Sequence, residues 1–446
     1  MRERARKANG RAFGFILVIV LLDALSFGLI FPVLPRLVLV LSGGDAAGAS
    51  RAFGLIAGVW ALMNFLAAPV LGAASDRFGR RPVILVSTFG LSLDLVLMAL
   101  APSLAWLFLG RAISGVTSAN YATAAAYVAD VSGEDKRAAR FGLLAAISGV
   151  GLVLGPVVGG FLGELSPRTP FWAAAALTGL SCLYGLFVLP ESLRRHRRTV
   201  VDWSAALPVK SLGILTKYKG LVGLASVMTL LQVVAQAANA LLVLYTAHRY
   251  GWNSGAVGVL LMVYSVGSIA VMAAIAPLIV KALGDRLVVL LGIACSIAGF
   301  FGLALAPSGT WFCVAVGAVC LGSVSGPALT ALVTQKVDPG EQGRLHGALG
   351  ALMALGSFAG PIAFTQIFAW SILSGSSPSK LGAAMAAAGL LMIGAWILAF
   401  VFARGPARAR QVEVRAALRR DEVAEPQGFD LENPAAHRSS ARDDVL

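Results

Sequence analysis

Twelve apolar runs, each long enough to cross the roughly 30 Å hydrocarbon core of a bilayer, recur along this chain. They lie near residues 13 to 34, 52 to 71, 83 to 101, 104 to 129, 141 to 162, 170 to 189, 220 to 246, 255 to 280, 287 to 306, 310 to 333, 345 to 371 and 381 to 403. In lipid every backbone N–H and C=O must be paired within its own segment, so bundled helices are the expected architecture. Composition agrees: the chain is 58% hydrophobic and 13% charged, against about 45 to 50% and about 25% in soluble domains. An all-α, multi-pass protein with the lipid bilayer as its solvent is therefore expected.

The 36 Lys and Arg residues set its orientation. Arg36, Arg51, Arg168, Arg249 and Lys380 fall on the side opposite the N-terminus, Arg111 lies within a span, and the rest share the N-terminal side. Both termini are then cytoplasmic. Trp106, Trp172, Trp252, Trp311 and Trp370 fall near the outer ends, as an interfacial belt requires. The basic N-terminus precedes an apolar run too long for a signal peptide and without a small-residue cleavage site, so it is expected to remain as the first span. Topology accounts for the net charge of +14, and no nucleic-acid partner is expected. Cys182, Cys295, Cys313 and Cys320 sit in apolar runs without paired spacing, and His196, His248, His346 and His437 are scattered, so neither a metal site nor a cofactor is expected.

The longest polar interruption divides the spans six and six. It gives a first bundle over residues 1–190, a cytoplasmic linker over 191–218, a second bundle over 219–403, and a charged, disordered cytoplasmic tail over 404–446. Shifting the sequence by 205 residues superposes Gly151, Gly155 and Pro156 on Gly356, Gly360 and Pro361, and Gly79 and Arg81 on Gly284 and Arg286. Two pseudo-symmetric halves are expected.

Three constellations carry chemistry. The first is Gly72-Ala-Ala-Ser-Asp76-Arg77-Phe-Gly79-Arg80-Arg81-Pro82, a charged hairpin between the second and third spans; its glycines and proline are expected to reverse the chain at the cytoplasmic surface. The second is the stripe Gly151, Gly155 and Gly159 on the fifth span, beside Pro156, where backbones can approach closely. The third is ionic. Asp23, Asp94 and Arg111 are the strongly charged residues placed deep in the bilayer, each costing about 2.5 to 3.5 kcal/mol at a helix centre on insertion scales. Asp94 and Arg111 flank the turn at Pro102 at nearly equal depth, so they can meet across adjacent helices, as a static ion pair or as proton-coupling groups. Gln232, Gln236 and Asn239 share one face of the seventh span, and Trp60 and Asn64 are one turn apart on the second; both sets suit either a ligand cavity or interhelical hydrogen bonds.

The segment from Leu21 to Pro35 (LLDALSFGLIFPVLP), the hairpin at Gly72 and Gly151 to Gly160 together resemble the major facilitator superfamily, specifically its tetracycline/proton antiporters. Leu189-Pro190-Glu191-Ser192, Val337-Asp338 and Gln342-Gly343 extend the match over nearly the whole chain. The resemblance implies twelve helices in two six-helix bundles (the major facilitator fold), a monomer in the bacterial cytoplasmic (inner) membrane, and antibiotic resistance by proton-coupled efflux of amphipathic drugs, tetracycline-like compounds foremost. It also implies that Asp23, Asp94 and Arg111 are essential, and that the glycine-proline element of the fifth span marks antiport. Where that family carries an aspartate in the ninth span and often a histidine in the eighth, this chain has Cys295 and Gly267, and Lys281 stands where Asp76 would repeat. An uptake symporter for a small organic solute and a non-transporting membrane sensor are the alternatives; without a phosphate-binding loop or clustered metal ligands, no enzyme is expected.

Overall fold

A computed structural model describes residues 2–118, 120–193, 212–375 and 378–403; the expected tail, most of the linker, His196 and His437 lie outside the described residues. The described chain is helical: α1 (Arg2–Ile30), α2 (Leu34–Leu41), α3 (Ala46–Phe78), α4 (Arg80–Leu100), α5 (Leu104–Thr117), α6 (Asn120–Val131), α7 (Glu134–Leu165), α8 (Thr169–Val188) and the short α9 (Ile214–Lys217) come first. They are followed by α10 (Leu221–Tyr250), α11 (Ser254–Ala270), α12 (Ala276–Leu283), α13 (Asp285–Leu305), α14 (Gly309–Gly322), α15 (Ser325–Thr334), α16 (Gln342–Leu373), α17 (Pro378–Leu381) and α18 (Ala383–Phe402). A five-residue π-helix, Val271–Ile275, joins α11 to α12.

Among the described residues, eleven helical stretches are long and apolar enough to span a membrane singly. The fourth expected run differs: it is divided between α5 and α6. The cause is local. Thr117 and Ser118 both turn their hydroxyls back onto the carbonyl of Ser114, competing with the helical ladder, and the Ser118 N–H bonds to Gly115 instead of continuing the α pattern. The same break recurs between α14 and α15, 205 residues on.

That displacement also carries α4 onto α13 and α5 onto α14, end for end. Gly79 (φ 112°, ψ 160°) corresponds to Gly284 (φ 80°, ψ 159°), and each makes the turn between two helices with a backbone that a side chain would strain. Arg81 donates to the carbonyl of Leu186, as Arg286 does to that of Phe400. The repeat therefore extends to side-chain bonds. Gly72, expected to help turn the chain, is instead inside α3, because α3 stays helical through Phe78 and Gly79 alone makes the reversal.

In the first half α1 packs on α7 and α8, and α4 on α5 and α8; in the second, α10 packs on α16 and α18, and α13 on α14 and α18. The halves meet along α3 with α16 and α7 with α11. Call the side of Gly79 the near face and the side of Ser42 the far face. Close seam contacts gather toward the far face: Ser50 donates to the Thr365 carbonyl (2.9 Å), and Arg36 to the Ser254 hydroxyl (3.1 Å). A Cβ on Gly160 would stand 2.5 Å from the Ser254 carbonyl oxygen. Gly160→Leu is therefore expected to part α7 from α11 there. Spin labels beside Leu165 and Asn253 should report a longer distance, and an unchanged distribution would refute a seam set by that contact.

Candidate functional site

The hairpin is a compact ionic knot within the first half. Arg80 reaches Asp76 (2.6 Å) and Asp130 (3.2 Å), its backbone N–H donates to Glu191 (2.9 Å), and Ser192 donates to Asp130 (3.1 Å). Arg77 stacks its guanidinium on Phe78, 5.3 Å from the ring centre. Among the described residues, Asp76 thus engages Arg80 of its own hairpin and no residue of the second half. At the repeat, Asp285 stands at the position matching Arg80 and accepts from Gln335, which matches Asp130, at 3.3 Å.

Among the described residues, two partly open cavities adjoin the buried charges of the first half. One, of about 320 Å³, is lined by Asp23, Asn64, Ser114, Ser118, Asn120 and Tyr121 among others. The other, of about 290 Å³, lies between the halves and is lined by Arg111, Gln236, Asn239, Ser357 and the apolar faces of α1 and α3. Phe27 and Trp60 line both. Their rings are 5.8 Å apart, and the Trp60 indole N–H donates to the Ser118 hydroxyl (3.1 Å), so the break after α5 supplies the acceptor that fixes the indole. Gly115 makes this approach possible, since a Cβ there would come within 2.7 Å of the Trp60 carbonyl oxygen.

Asp23 takes one hydrogen bond on Oδ2 from the Asn120 amide (2.7 Å), which also donates to Thr88 (3.2 Å); its Oδ1 is buried without a partner. Asp94 is fully buried, with neither carboxylate oxygen hydrogen-bonded. It lies against α5 where a Cβ on Gly110 would be 2.5 Å from its Oδ1. Arg111 is 6% exposed, and its Nε is buried without a hydrogen-bond partner. The expected meeting of Asp94 and Arg111 is therefore not a hydrogen-bonded pair: equal depth brings the helices' charges to one level, while their rotation turns Arg111 toward the cavity and Asp94 toward Gly110.

Gln232 donates to the Ser357 hydroxyl (2.8 Å), an interhelical bond, whereas Gln236 and Asn239 face the cavity. The Gly151, Gly155 and Gly159 stripe packs on α1: a Cβ on Gly155 would come 2.5 Å from the Gly28 Cα, and one on Gly159 closer still to Leu29. A second face of α7, unforeseen in the sequence, meets α11, with the Pro156 carbonyl against Gly258 and Gly160 against Ser254. Cys295 and Gly267 bring no charge to the second half, and among the described residues no group of three or more His, Cys, Asp or Glu stands together.

The sequence profile of the Major Facilitator Superfamily matches residues 16–361. The chain belongs to that superfamily. Within it the chain is 37% identical to the class C tetracycline resistance protein of Escherichia coli over 369 residues, covering 81% of this chain and 91% of the relative. It is also 37% identical to the class G protein of Vibrio anguillarum, over 79% of this chain and 89% of that one. Among solved structures, the nucleoside transporter NupG superposes with a TM-score of 0.72 at 14% identity, over 88% of this chain and 98% of that chain. A bacterial homolog of the human lysosomal transporter Spinster, in an inward-facing and unoccupied conformation, gives 0.67 at 16% identity, over 89% and 97%. These two similarities concern the fold.

Proposed function

We propose that this protein is a proton-coupled efflux antiporter of the bacterial cytoplasmic membrane, exporting amphipathic drugs, with tetracycline-like compounds foremost. The observation that carries the reading is a seam cavity lined by the buried Arg111, beside a second cavity lined by Asp23, in a chain 37% identical to a tetracycline resistance protein along most of both lengths. Asp23 and Asp94 exchange protons, Arg111 tunes them, and Trp60, Asn64, Gln236 and Asn239 line the substrate's route. The units 1–190 and 219–403 rock about the seam as a monomer, with both termini and the near face in the cytoplasm. In proteoliposomes, an imposed pH gradient should drive tetracycline-like compounds against their own gradient, and an efflux-deficient host should gain resistance. Gradient-driven accumulation in the proton's direction would instead establish a symporter, and binding without flux a sensor.

Asp76 is the proposed inner latch, meeting a helix N-terminus or arginine of the second half when the protein faces outward. In the described state it rests on Arg80. Asp76→Ala should then impair transport severalfold more than Lys281→Ala. Electron-electron distances between the near-face ends of α3 and α16 should shift in Asp76→Ala; an unchanged distribution at normal expression would leave the latch without support.

A further inference from the structure

One polar cluster of the first half is not repeated in the second. Asn120, the first residue of α6, donates from its side-chain amide to the Asp23 carboxylate of α1 (2.7 Å) and to the Thr88 hydroxyl of α4 (3.2 Å). Displaced by 205 residues, the three positions are held by Met228, Ile293 and Ser325. Met228 and Ile293 are buried and apolar, and Ser325 turns its hydroxyl back onto the Gly322 carbonyl. There α15 packs on α10 and α13 as α6 packs on α1 and α4, with neither acid nor amide between them. The fold itself therefore does not require the cluster.

Half of that amide is unspent. The Asn120 Oδ1 and the Asp23 Oδ1 are both buried without a hydrogen-bond partner. The two ends of an asparagine amide have nearly one shape and opposite bonding, since the NH2 only donates and the carbonyl only accepts. A carboxylate only accepts, whereas a carboxylic acid also donates. The orientation present therefore matches an ionised Asp23. A half-turn of the amide about its last bond would set Oδ1 where Nδ2 stands, ready to accept from a protonated Asp23 and from the Thr88 hydroxyl, which can donate as well as accept. Both contacts would survive with their direction reversed.

Among the described residues, no charged side chain is set against Asp23. Ser181 and the titratable Cys182 approach it from α8, Tyr121 of α6 and Asn64 of α3 share its cavity wall, and α7 contributes the uncharged Ser148 and Leu152 there. Neutral dipoles thus answer its charge, and that partly open cavity, lined by Asp23 and Asn120 alike, gives a proton its path from water. We infer that Asn120 is a positioning residue for the proton step, its side-chain amide exchanging ends with the charge of Asp23: it donates to the carboxylate, accepts from the acid, and keeps α1, α4 and α6 bonded in both states. The inference rests on the proposed exchange of protons at Asp23. One O–H bond forms on Asp23 with a proton from cavity water and breaks on release, while the amide keeps its own protons throughout.

The test is infrared difference spectroscopy of the purified full chain in liposomes as pH is stepped, with carbon-13 at the asparagine side-chain carbonyl. Protonation of Asp23 should give a carboxylic C=O band that Asp23→Asn lacks. A labelled asparagine carbonyl should move to lower wavenumber with the same midpoint, as a carbonyl does on accepting a hydrogen bond, and Asn120→Leu should lose that component. An asparagine that only packs keeps one position throughout. The absence of an Asp23 band, or an Asp23 band with no labelled carbonyl following it, would overturn the inference, and both are read on protein unmodified at Asn120 even if the leucine variant fails to fold. In inverted vesicles Asn120→Leu should lower proton-driven tetracycline uptake about tenfold, the order of one charge-assisted bond, and leave gradient-free exchange of labelled for unlabelled drug within about twofold. Equal losses in the two assays would make Asn120 merely structural. If the two bands move together but a pH gradient drives no drug across proteoliposomes, the amide switch stands and the antiport reading falls; if the gradient drives drug and the bands do not move together, the switch falls and the reading stands.

Discussion

Asp94→Asn is expected to reduce proton-driven uptake into inverted vesicles to background while the protein inserts and purifies as before. The amide fills nearly the same volume against Gly110, so packing between α4 and α5 is kept. What is lost is the ability to take and release a proton at a buried position. The competing role, a static ion pair with Arg111, predicts a different outcome. Breaking a buried pair strands the remaining charge at a cost of about 3 to 5 kcal/mol, which would show as a large fall in melting temperature. Neither Asp94 oxygen is hydrogen-bonded, so the expected thermal shift is small. Near-normal transport in Asp94→Asn would remove it from the coupling machinery; a collapse in stability would reinstate the static pair.

Span positions were legible in the sequence because lipid imposes its rule locally: a run of apolar residues between basic loops is a helix whatever it packs against. The repeat was legible too, since Gly79 and Gly284 make equivalent turns and their displacement carries α4 onto α13. Partners were harder. Nothing in the spacing of Gly160 and Gly163 distinguishes a face toward α11 from one toward lipid, and Gly54 and Gly58 on α3, which pack against Thr365 and Ile362, are two among 50 glycines. Their contacts join residues far apart in the chain, and periodicity does not encode the neighbour.

Depth without rotation explains the rest. Counting residues from the Pro102 turn placed Asp94 and Arg111 at one level, yet the angle of each about its helix axis decides whether they bond, and here they do not. The same ambiguity separates Gln232, spent on Ser357, from Gln236 and Asn239, which face the cavity. Ser118 and Asn120 carry no signal in the sequence, because small polar residues are ordinary near a helix end. Their importance comes from what they hold, the Trp60 indole and the Asp23 carboxylate.

Gly155→Leu is expected to abolish drug resistance and lower thermal stability by about 3 kcal/mol or more, toward the upper end of overpacking costs, since both helices would have to move. The opposing atoms are backbone: the added Cβ would stand 2.5 Å from the Gly28 Cα and 2.8 Å from the Leu25 carbonyl oxygen. No rotamer change can relieve such a contact, so α7 must move off α1. On the neighbouring face the same helix holds Pro156 and Gly160 against α11 across the seam, so a displacement of α7 also disturbs the contact between the halves. Gly142→Leu is the matched control. It lies on the same helix, is exposed, and a Cβ there meets nothing within 4 Å, so near-normal resistance and stability are expected. Thermal melts and resistance assays on the two variants separate close packing from a general intolerance of leucine in α7: equal behaviour of both, in either direction, would refute a functional contact between Gly155 and Gly28.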